Sequence, residues 1–313
     1  MFTSYKELKS IHNKLKPFIH NTPVLTSNTF NTKSNCQAYF KCENFQKMGA
    51  FKMRGALNAI LNLEESERAK GVTTHSSGNF AQAVSLSAKL IGIPATVIMP
   101  STAPSVKKEA VRSYGARVIE CEPNLKAREK TTMEFSNETG AVILHPSDQK
   151  EVIDGNASAC MELLEEVPDL DIVITPVGGG GLLAGTALAA KAIRPSIEIY
   201  AGEPMAADDA YWSLKKGSIQ PSLSPDTIAD GLKTQLGENN FPIIQRYVKG
   251  IIRVEENEII QAMKWIWQRM KIIIEPSSAV AVAAIWKENS HFNGKKTGII
   301  ISGGNVDFNN LPF

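Results

Sequence analysis

The 313-residue chain has only four cysteines, Cys36, Cys42, Cys121 and Cys160, too few and too widely spaced to staple a chain of this size. They read as reduced thiols. Neither a CxxC nor an HExxH spacing occurs, which removes the commonest dithiol and zinc motifs. No stretch of about 18 apolar residues runs free of charge, so no membrane-spanning helix is expected. The N-terminal stretch MFTSYKELKSIHNKL lacks the apolar core of a signal peptide, and a soluble, cytoplasmic protein is the expectation. Nor does one sign of charge dominate: 34 Lys and Arg stand against 32 Asp and Glu, a formal net charge of +2 with no basic block. A nucleic-acid or anionic-membrane partner is therefore not expected. Low-complexity segments and short-period repeats are also missing. What remains is a globular chain of enzyme size, with room for two lobes and a sizeable core.

From about residue 70 onward, short β-rich runs alternate with helical stretches, each pair punctuated by Gly, Pro, Ser or Asn. VTTHSS, ATVIMP, ARVIECE, AVILHP, DIVITPV, IEIYAGEP and TGIIISGG are nearly continuous apolar runs, as parallel strands covered on both faces require. NFAQAVSLSAKLIG, VKKEAVRSYG and NEIIQAMKWIWQRMK read as the helices between them. The fold class is α/β, with mostly parallel sheets flanked by helices. In such sheets ligands bind beyond the carboxyl ends of the strands, so the residues just after each strand carry the functional information.

Three strand ends are unusual. DIVITPV runs into Gly178, Gly179, Gly180 and Gly181 and then a helix, an arrangement in which backbone N–H groups and the helix N-terminus converge on a phosphate. No Lys-Ser/Thr pair follows, so this is not a Walker A loop, whereas Gly179, Gly181 and Ala184 do satisfy GxGxxA, with Glu198 downstream. A purely structural turn would also serve. VTTHSS ends in Ser76, Ser77, Gly78 and Asn79, which read either as helix caps or as a cradle for a substrate carboxylate. TGIIISGG ends in Ser302, Gly303, Gly304 and Asn305, where a hydroxyl could donate to a ring nitrogen or a simple turn could close the strand. Lys52, in FKMRG, stands at a helix start between Gly49 and Gly55. A phosphate cradle, a carboxylate cradle, a strand-end hydroxyl and such a lysine together suit a phosphorylated aldehyde cofactor.

The segments NFQKMGAFKMRGA, SSGNFAQA, PVGGGGLLAG, IADGL, IEPSSAV and SGGNVD, in unbroken order over essentially the whole chain, resemble pyridoxal-phosphate enzymes of the tryptophan-synthase-β type, fold type II. The similarity is greatest to the serine racemase and serine/threonine dehydratase group. It implies that Lys52 holds the cofactor aldehyde and later moves the substrate α-proton, that Phe51 lies beside the ring, and that Gly49 and Gly55 leave room for it. It further implies that Gly178 to Gly181 bind the phosphate with Gly231 nearby, Asn79 meets the phenolic oxygen, Glu275 lies near the ring, and Ser302 faces the ring nitrogen. Ser76, Ser77 and Asn79 would hold the substrate carboxylate, and Ser77 would be the second proton-exchanging group in a racemase. Arg128 and Thr234 match positions near the substrate, although Arg128 also reads as a helix-surface arginine. Glu203, Asp209 and the Ala207 carbonyl match oxygen ligands of Mg²⁺, Mn²⁺ or Ca²⁺.

The resemblance also implies a large domain of residues 1–69 and 146–313, a small closing domain of residues 70–145, and a homodimer. The activity implied is a dehydratase for a β-hydroxy-α-amino acid of the L-serine or L-threonine type, yielding a 2-oxo acid and ammonia. Serine racemisation, or dehydration of hydroxyaspartate or phenylserine, stands as the alternative. Two departures bear on this. Phe80 follows Asn79 where the pattern commonly has His, and Ser147 with the GNAS segment, Gly155 to Ser158, replaces an Asn and a GQGT element. Lys107, matching a nucleotide-effector position, reads as a surface helix lysine. A nucleotide-dependent oxidoreductase built on GxGxxA would leave Lys52, Ser302 and the SSGN loop without a use. A non-catalytic relative would not need them either.

Overall fold

The strand and helix patterns sort into two sheets in the computed structural model, which describes residues 2–223 and 225–313. The strands are β1 (Val24–Thr26), β2 (Gln37–Cys42), β3 (Val72–Thr74), β4 (Ala95–Pro100), β5 (Arg117–Cys121), β6 (Val142–Ile143), β7 (Ile172–Pro176), β8 (Glu198–Pro204), β9 (Gly250–Val254) and β10 (Lys296–Ile301). Six of them form one sheet in the order β1-β2-β10-β7-β8-β9, parallel except for the β1–β2 pair. The other sheet, β5-β4-β3-β6, is parallel throughout. Each of the seven apolar runs named above contains a strand. β1, β2 and β9 carry weaker signals, because β2 has polar residues at Gln37 and Lys41 and β9 is interrupted by Arg253.

Both faces of the larger sheet are covered, as parallel strands require. Ile300 of β10 packs on one side with Val173 and Ile199. Its neighbours Ile299 and Ile301 face the other side with Phe40 and Ile174. Successive side chains on a strand point to opposite faces, so one apolar run serves two cores. No helix among the described residues is long and apolar enough to cross a membrane.

The helix Lys52–Leu61 lies between the two sheets. Met53, Ala56, Leu57 and Ile60 pack with Phe80, Ala83 and Val84 of the helix Asn79–Ile91. Its other face meets the helix Lys150–Glu166 through a glycine pair. A Cβ on Gly55 would lie 2.8 Å from the Val152 carbonyl oxygen, and one on Gly155 2.6 Å from that of Arg54. Gly55 thus permits a close helix crossing rather than opening space for a cofactor. The GNAS segment lies in the same crossing, with Ser158 Oγ accepting from Arg54 Nη1 at 3.1 Å.

Arg54, fully buried, holds this crossing in place. Its Nε and Nη2 donate to the two oxygens of Glu43 at 2.7 and 2.8 Å, while Nη1 and Nη2 donate to those of Glu162 at 2.8 and 2.7 Å. Lys41, also buried, donates to Glu162 at 2.7 Å and to the Thr22 carbonyl at 2.6 Å. Two cations thus face two carboxylates. Burial alone would raise the Glu162 carboxyl, but the hydrogen bonds and charge of Arg54, helped by Lys41, bring it below the ordinary value. Removing one partner from such a set strands a buried charge, which costs about 3–5 kcal/mol. Arg54→Ala should lower stability by about that amount in urea unfolding. A loss within about 0.5 kcal/mol, as for an ordinary surface substitution, would show that the network is dispensable.

Candidate active site

The carboxyl ends of β3, β6, β7 and β10 supply residues 75–79, 145–148, 177–181 and 302–305, the crevice side expected of parallel sheets. Lys52 meets them from the first residue of its helix. The 49–51 segment runs against 302–304: Phe51 N–H donates to the Ser302 carbonyl at 2.9 Å, Gly304 N–H to that of Gly49 at 2.9 Å, and Ala50 bridges Gly303. Gly49 has a φ of +78°, and a Cβ there would lie 2.6 Å from Asn305 Oδ1. The register of this short ladder sets where the lysine emerges.

Lys52 Nζ donates to the Pro146 carbonyl oxygen at 2.7 Å. It lies 5.0 Å from the Phe51 ring centroid and 5.6 Å from that of Phe80. Burial pushes its ammonium down to about 8, opposed by the charge of Glu275. A helix N-terminus disfavours a cation as well. Phe80 is buried in the core between the two sheets, so its departure from the expected histidine places an apolar ring near the amine.

After β7 the glycine loop leads into the helix Gly181–Ile193, whose N-cap, Gly180, has a φ of +82° and offers no side-chain cap. The first N–H groups of that helix are free for an anion. Neighbouring chain leaves no space for side chains here. A Cβ on Gly178 would lie 2.6 Å from Leu232 Cα and 3.2 Å from the Gly231 oxygen, while one on Gly179 would lie 2.5 Å from Ser147 Oγ and 2.9 Å from Thr234 Oγ1. A Cβ on Gly181 would lie 2.7 Å from the Ser147 oxygen. Asn240 Nδ2 donates to the Gly179 oxygen at 2.9 Å. Ser147 therefore borders the loop, and Pro146 beside it holds Lys52 Nζ.

The helix Asn79–Ile91 likewise begins without a side-chain cap, its N-cap being Gly78. Ser76 Oγ accepts from Gly78 N–H at 3.3 Å, and no capping bond comes from Ser77 or Asn79. Asn79 Nδ2 instead donates to Glu275 Oε1 and Oε2 at 3.1 and 3.0 Å, and its Oδ1 accepts from Asn305 at 2.9 Å. Glu275 stands at the N-cap of the helix Pro276–Lys287 without capping it. Burial raises its carboxyl to about 7, against the lowering bond from Asn79. Ser302 Oγ lies 2.9 Å from Ser278 Oγ. Arg128 makes no side-chain hydrogen bond among the described residues, and its charge helps depress His75, next to Ser76, after burial. Lys107 is a surface lysine of the 105–113 helix, as expected, and it pairs there with Asp230 at 2.7 Å, joining that helix to the IADGL segment.

Glu203 and Asp209 lie at the carboxyl end of β8, the strand beside β7, and at the start of the helix Asp209–Lys216, with buried Ala207 in the turn between them. Glu203 accepts from Ala210 and Tyr211 N–H, both at 2.8 Å. Asp209 is 4 % exposed, and neither carboxylate oxygen makes a hydrogen bond of full geometry among the described residues, although the Ser222 hydroxyl and the Leu236 and Asp209 backbone lie close enough to oppose the effect of burial. Burial raises Asp209 to about 6, and burial with the charge of Asp209 raises Glu203 well above the usual range. No cluster of three or more His, Cys, Asp or Glu forms among the described residues.

Sequence reading overlooked Ser278, Asn240 and the Pro146 carbonyl, and named Asn305 only as part of a strand end. Ser278 lies inside the segment IEPSSAV, so the segment signal was present without the residue. A backbone carbonyl leaves no mark in a sequence.

The model of the pyridoxal-phosphate dependent enzyme family matches residues 15–303. Among curated proteins, a serine racemase of Dictyostelium discoideum is 50% identical, covering 98% of this chain and 96% of its own. A crystal structure of serine racemase from that organism superposes with a TM-score of 0.94 over 98% of this chain and 99% of that chain. A β-hydroxyaspartate dehydratase of Paracoccus denitrificans is 44% identical, covering 99% and 98%. The structure of the processed form of a threonine deaminase, isoform 2 of Solanum lycopersicum, is 31% identical with a TM-score of 0.92, covering 99% of this chain and 87% of that chain. With a family match over most of its length and these relatives along the whole of it, the chain belongs to the pyridoxal-phosphate dependent enzymes, fold type II.

Proposed function

We propose that this protein is a dehydratase that converts a β-hydroxy-α-amino acid of the L-serine or L-threonine type into a 2-oxo acid and ammonia. The observation that carries this reading is the desolvated Lys52 amine, depressed to about 8, at the junction of two uncapped helix N-termini. The residues fit pyridoxal phosphate: the glycine loop, packed too tightly against neighbouring chain to carry side chains, leads into a helix whose first N–H groups no side chain caps, and burial lowers the lysine toward the basicity a nucleophilic amine needs near neutral pH. When bound, pyridoxal phosphate supplies an aldehyde for amino groups and a ring that acidifies the substrate α C–H.

Gly178, Gly179, Gly180 and Gly181 would hold the phosphate, with Gly231 behind them. Ser302 would donate its hydroxyl proton to the ring nitrogen, Phe51 would lie beside the ring, and Asn79, held by Glu275 and Asn305, would meet the phenolic oxygen. Ser76, Ser77 and the free N–H groups of the helix Asn79–Ile91 would bind the substrate carboxylate. Lys52 Nζ would take the α-proton, and Arg128 and Thr234 would face the side-chain end of the substrate. Elimination needs this one base together with an acid, the cofactor phosphate or a nearby acidic group, to protonate the departing hydroxide. Racemisation needs a second proton donor on the opposite face, and Ser77 at the end of β3 is the candidate. The 50% identity to a serine racemase supports that second reading.

The Asn79–Glu275 and Lys107–Asp230 contacts tie residues 70–145 to the rest of the chain. This supports a small domain of residues 70–145 that closes over a large domain of residues 1–69 and 146–313. A homodimer belongs to the same reading.

A divalent cation, Mg²⁺, Mn²⁺ or Ca²⁺, would sit at Glu203, Asp209 and the Ala207 carbonyl, with water completing the shell. Asp209's two buried oxygens, which make no hydrogen bond of full geometry among the described residues, support it. Its work is to brace the fold.

Three outcomes test this reading. With pyridoxal phosphate, the protein should release 2-oxo acid from one member of a panel of L-serine, L-threonine, hydroxyaspartate and phenylserine, and Lys52→Ala should lose about 10³-fold or more. Release undiminished in the variant would remove Lys52 from the mechanism, while D-serine without oxo acid would select the racemase. In stopped-flow uptake by cofactor-free protein, the rate should rise with pH to half-maximum near 8, because the neutral amine is the nucleophile. A rise that continues toward 10.5, the ordinary lysine value, would contradict a desolvated amine. Chelation should lower the melting temperature, and the three cations should restore it, since a ligand at about 100 times its Kd adds about 2.7 kcal/mol. Asp209→Asn should melt the same with or without chelator, and a persistent response would place the ion elsewhere.

A further inference from the structure

Ser278, fully buried in the helix Pro276–Lys287, touches both the strand end that carries Ser302 and Ser302 itself. Its Oγ accepts from Gly303 N–H at 2.8 Å, lies 2.7 Å from the Gly303 carbonyl oxygen in donor geometry, and lies 2.9 Å from Ser302 Oγ. Among the described residues Ser302 Oγ has no other partner. A serine hydroxyl has one proton to donate and two lone pairs to accept with, so if the 2.9 Å contact between the two hydroxyls is kept as a hydrogen bond, the protons can be placed in two ways.

In one, Ser278 donates to the Gly303 carbonyl and Ser302 donates to Ser278. The Ser302 oxygen then turns only lone pairs toward a pyridine nitrogen, which is itself an acceptor. In the other, Ser278 donates to Ser302, and the Ser302 proton is free for that nitrogen. The Gly303 carbonyl is not orphaned by the change, because Glu275 N–H also donates to it at 3.1 Å. The switch leaves no buried backbone group unsatisfied, and it requires the Ser278 oxygen to ease away from the carbonyl oxygen 2.7 Å from it, since no proton then lies between them.

We propose that Ser278 is a positioning residue that, by donating to Ser302 Oγ, directs the single Ser302 proton at the cofactor's ring nitrogen. This rests on the assignment of Ser302 to that nitrogen in the proposed function. Ser278 touches neither cofactor nor substrate. Its effect passes through the orientation of one hydroxyl, and it should therefore show at the ring nitrogen before it shows anywhere else.

The test is the ¹⁵N NMR shift of ring-labelled pyridoxal phosphate on the holoenzyme, with cofactor affinity measured alongside. Ser278→Ala and Ser278→Cys should move the shift toward the value of a pyridine without a hydrogen-bond donor and weaken cofactor binding about 2- to 12-fold, the scale of one hydrogen bond. Ser278→Thr, which keeps the hydroxyl, should restore the wild-type shift. Ser302→Ala is the reference. If it moves the shift and neither Ser278→Ala nor Ser278→Cys does, the positioning role is overturned while the Ser302 assignment stands. A Ser302→Ala holoenzyme with the wild-type shift overturns both. A Thr variant that moves the shift as far as Ala does would show that packing, not the hydroxyl, is at work, and would also overturn the proposal.

Discussion

The guanidinium of Arg54, fully buried and gripped by Glu43 and Glu162, is the constraint on which the site depends. It sits two residues after Lys52, on the first turn of the same helix. Glu43 lies just after β2 and Glu162 on the helix Lys150–Glu166, so one side chain ties the lysine's helix to the larger sheet and to the helix that covers it. A bidentate grip on each carboxylate fixes angle as well as distance. The helix therefore cannot slide or rotate without stranding a charge. The glycine contact at Gly55 and Gly155 then brings the two helices close enough for the grip to be made.

Around the lysine, the electrostatics follow from what has been removed. No carboxylate forms an ion pair with Lys52 among the described residues, and aromatic rings and a backbone carbonyl surround it instead. Glu275, the nearest acid by effect, is itself buried, raised to about 7, and turned toward Asn79. Perturbed groups of this kind gather where chemistry is done. Contrast Arg54 two residues away: it is equally buried but surrounded by carboxylates, and its charge is held firmly. One turn of helix thus carries one cation held by carboxylates and one whose proton burial loosens.

Much of this could be read in the sequence. Apolar runs bounded by Gly, Ser and Asn gave the parallel strands, and the glycine loop and SSGN stretch fall at the strand ends where ligands bind. Side-chain motifs in order along the chain identified the family. What stayed hidden depends on contacts between distant segments. Lys41, Glu43, Arg54 and Glu162 look like surface charges until the fold places them together. Gly55 looked like room for a ligand and proved to be room for a helix. The hydrogen bonds of Ser278 depend on a strand end 25 residues away. Capping was a fair alternative for Ser76 and Asn79, and the helix start, which has no side-chain cap, argues against that alternative.

The most direct measurement is to load the protein with pyridoxal phosphate, reduce it with borohydride, digest it and map by mass spectrometry which lysine carries the added pyridoxyl group. The account predicts stoichiometric labelling of the peptide containing Lys52 and of no other. Labelling spread over exposed lysines, or confined to a different one, would contradict it, because the depressed amine at the head of the helix would then not be the residue that holds the cofactor.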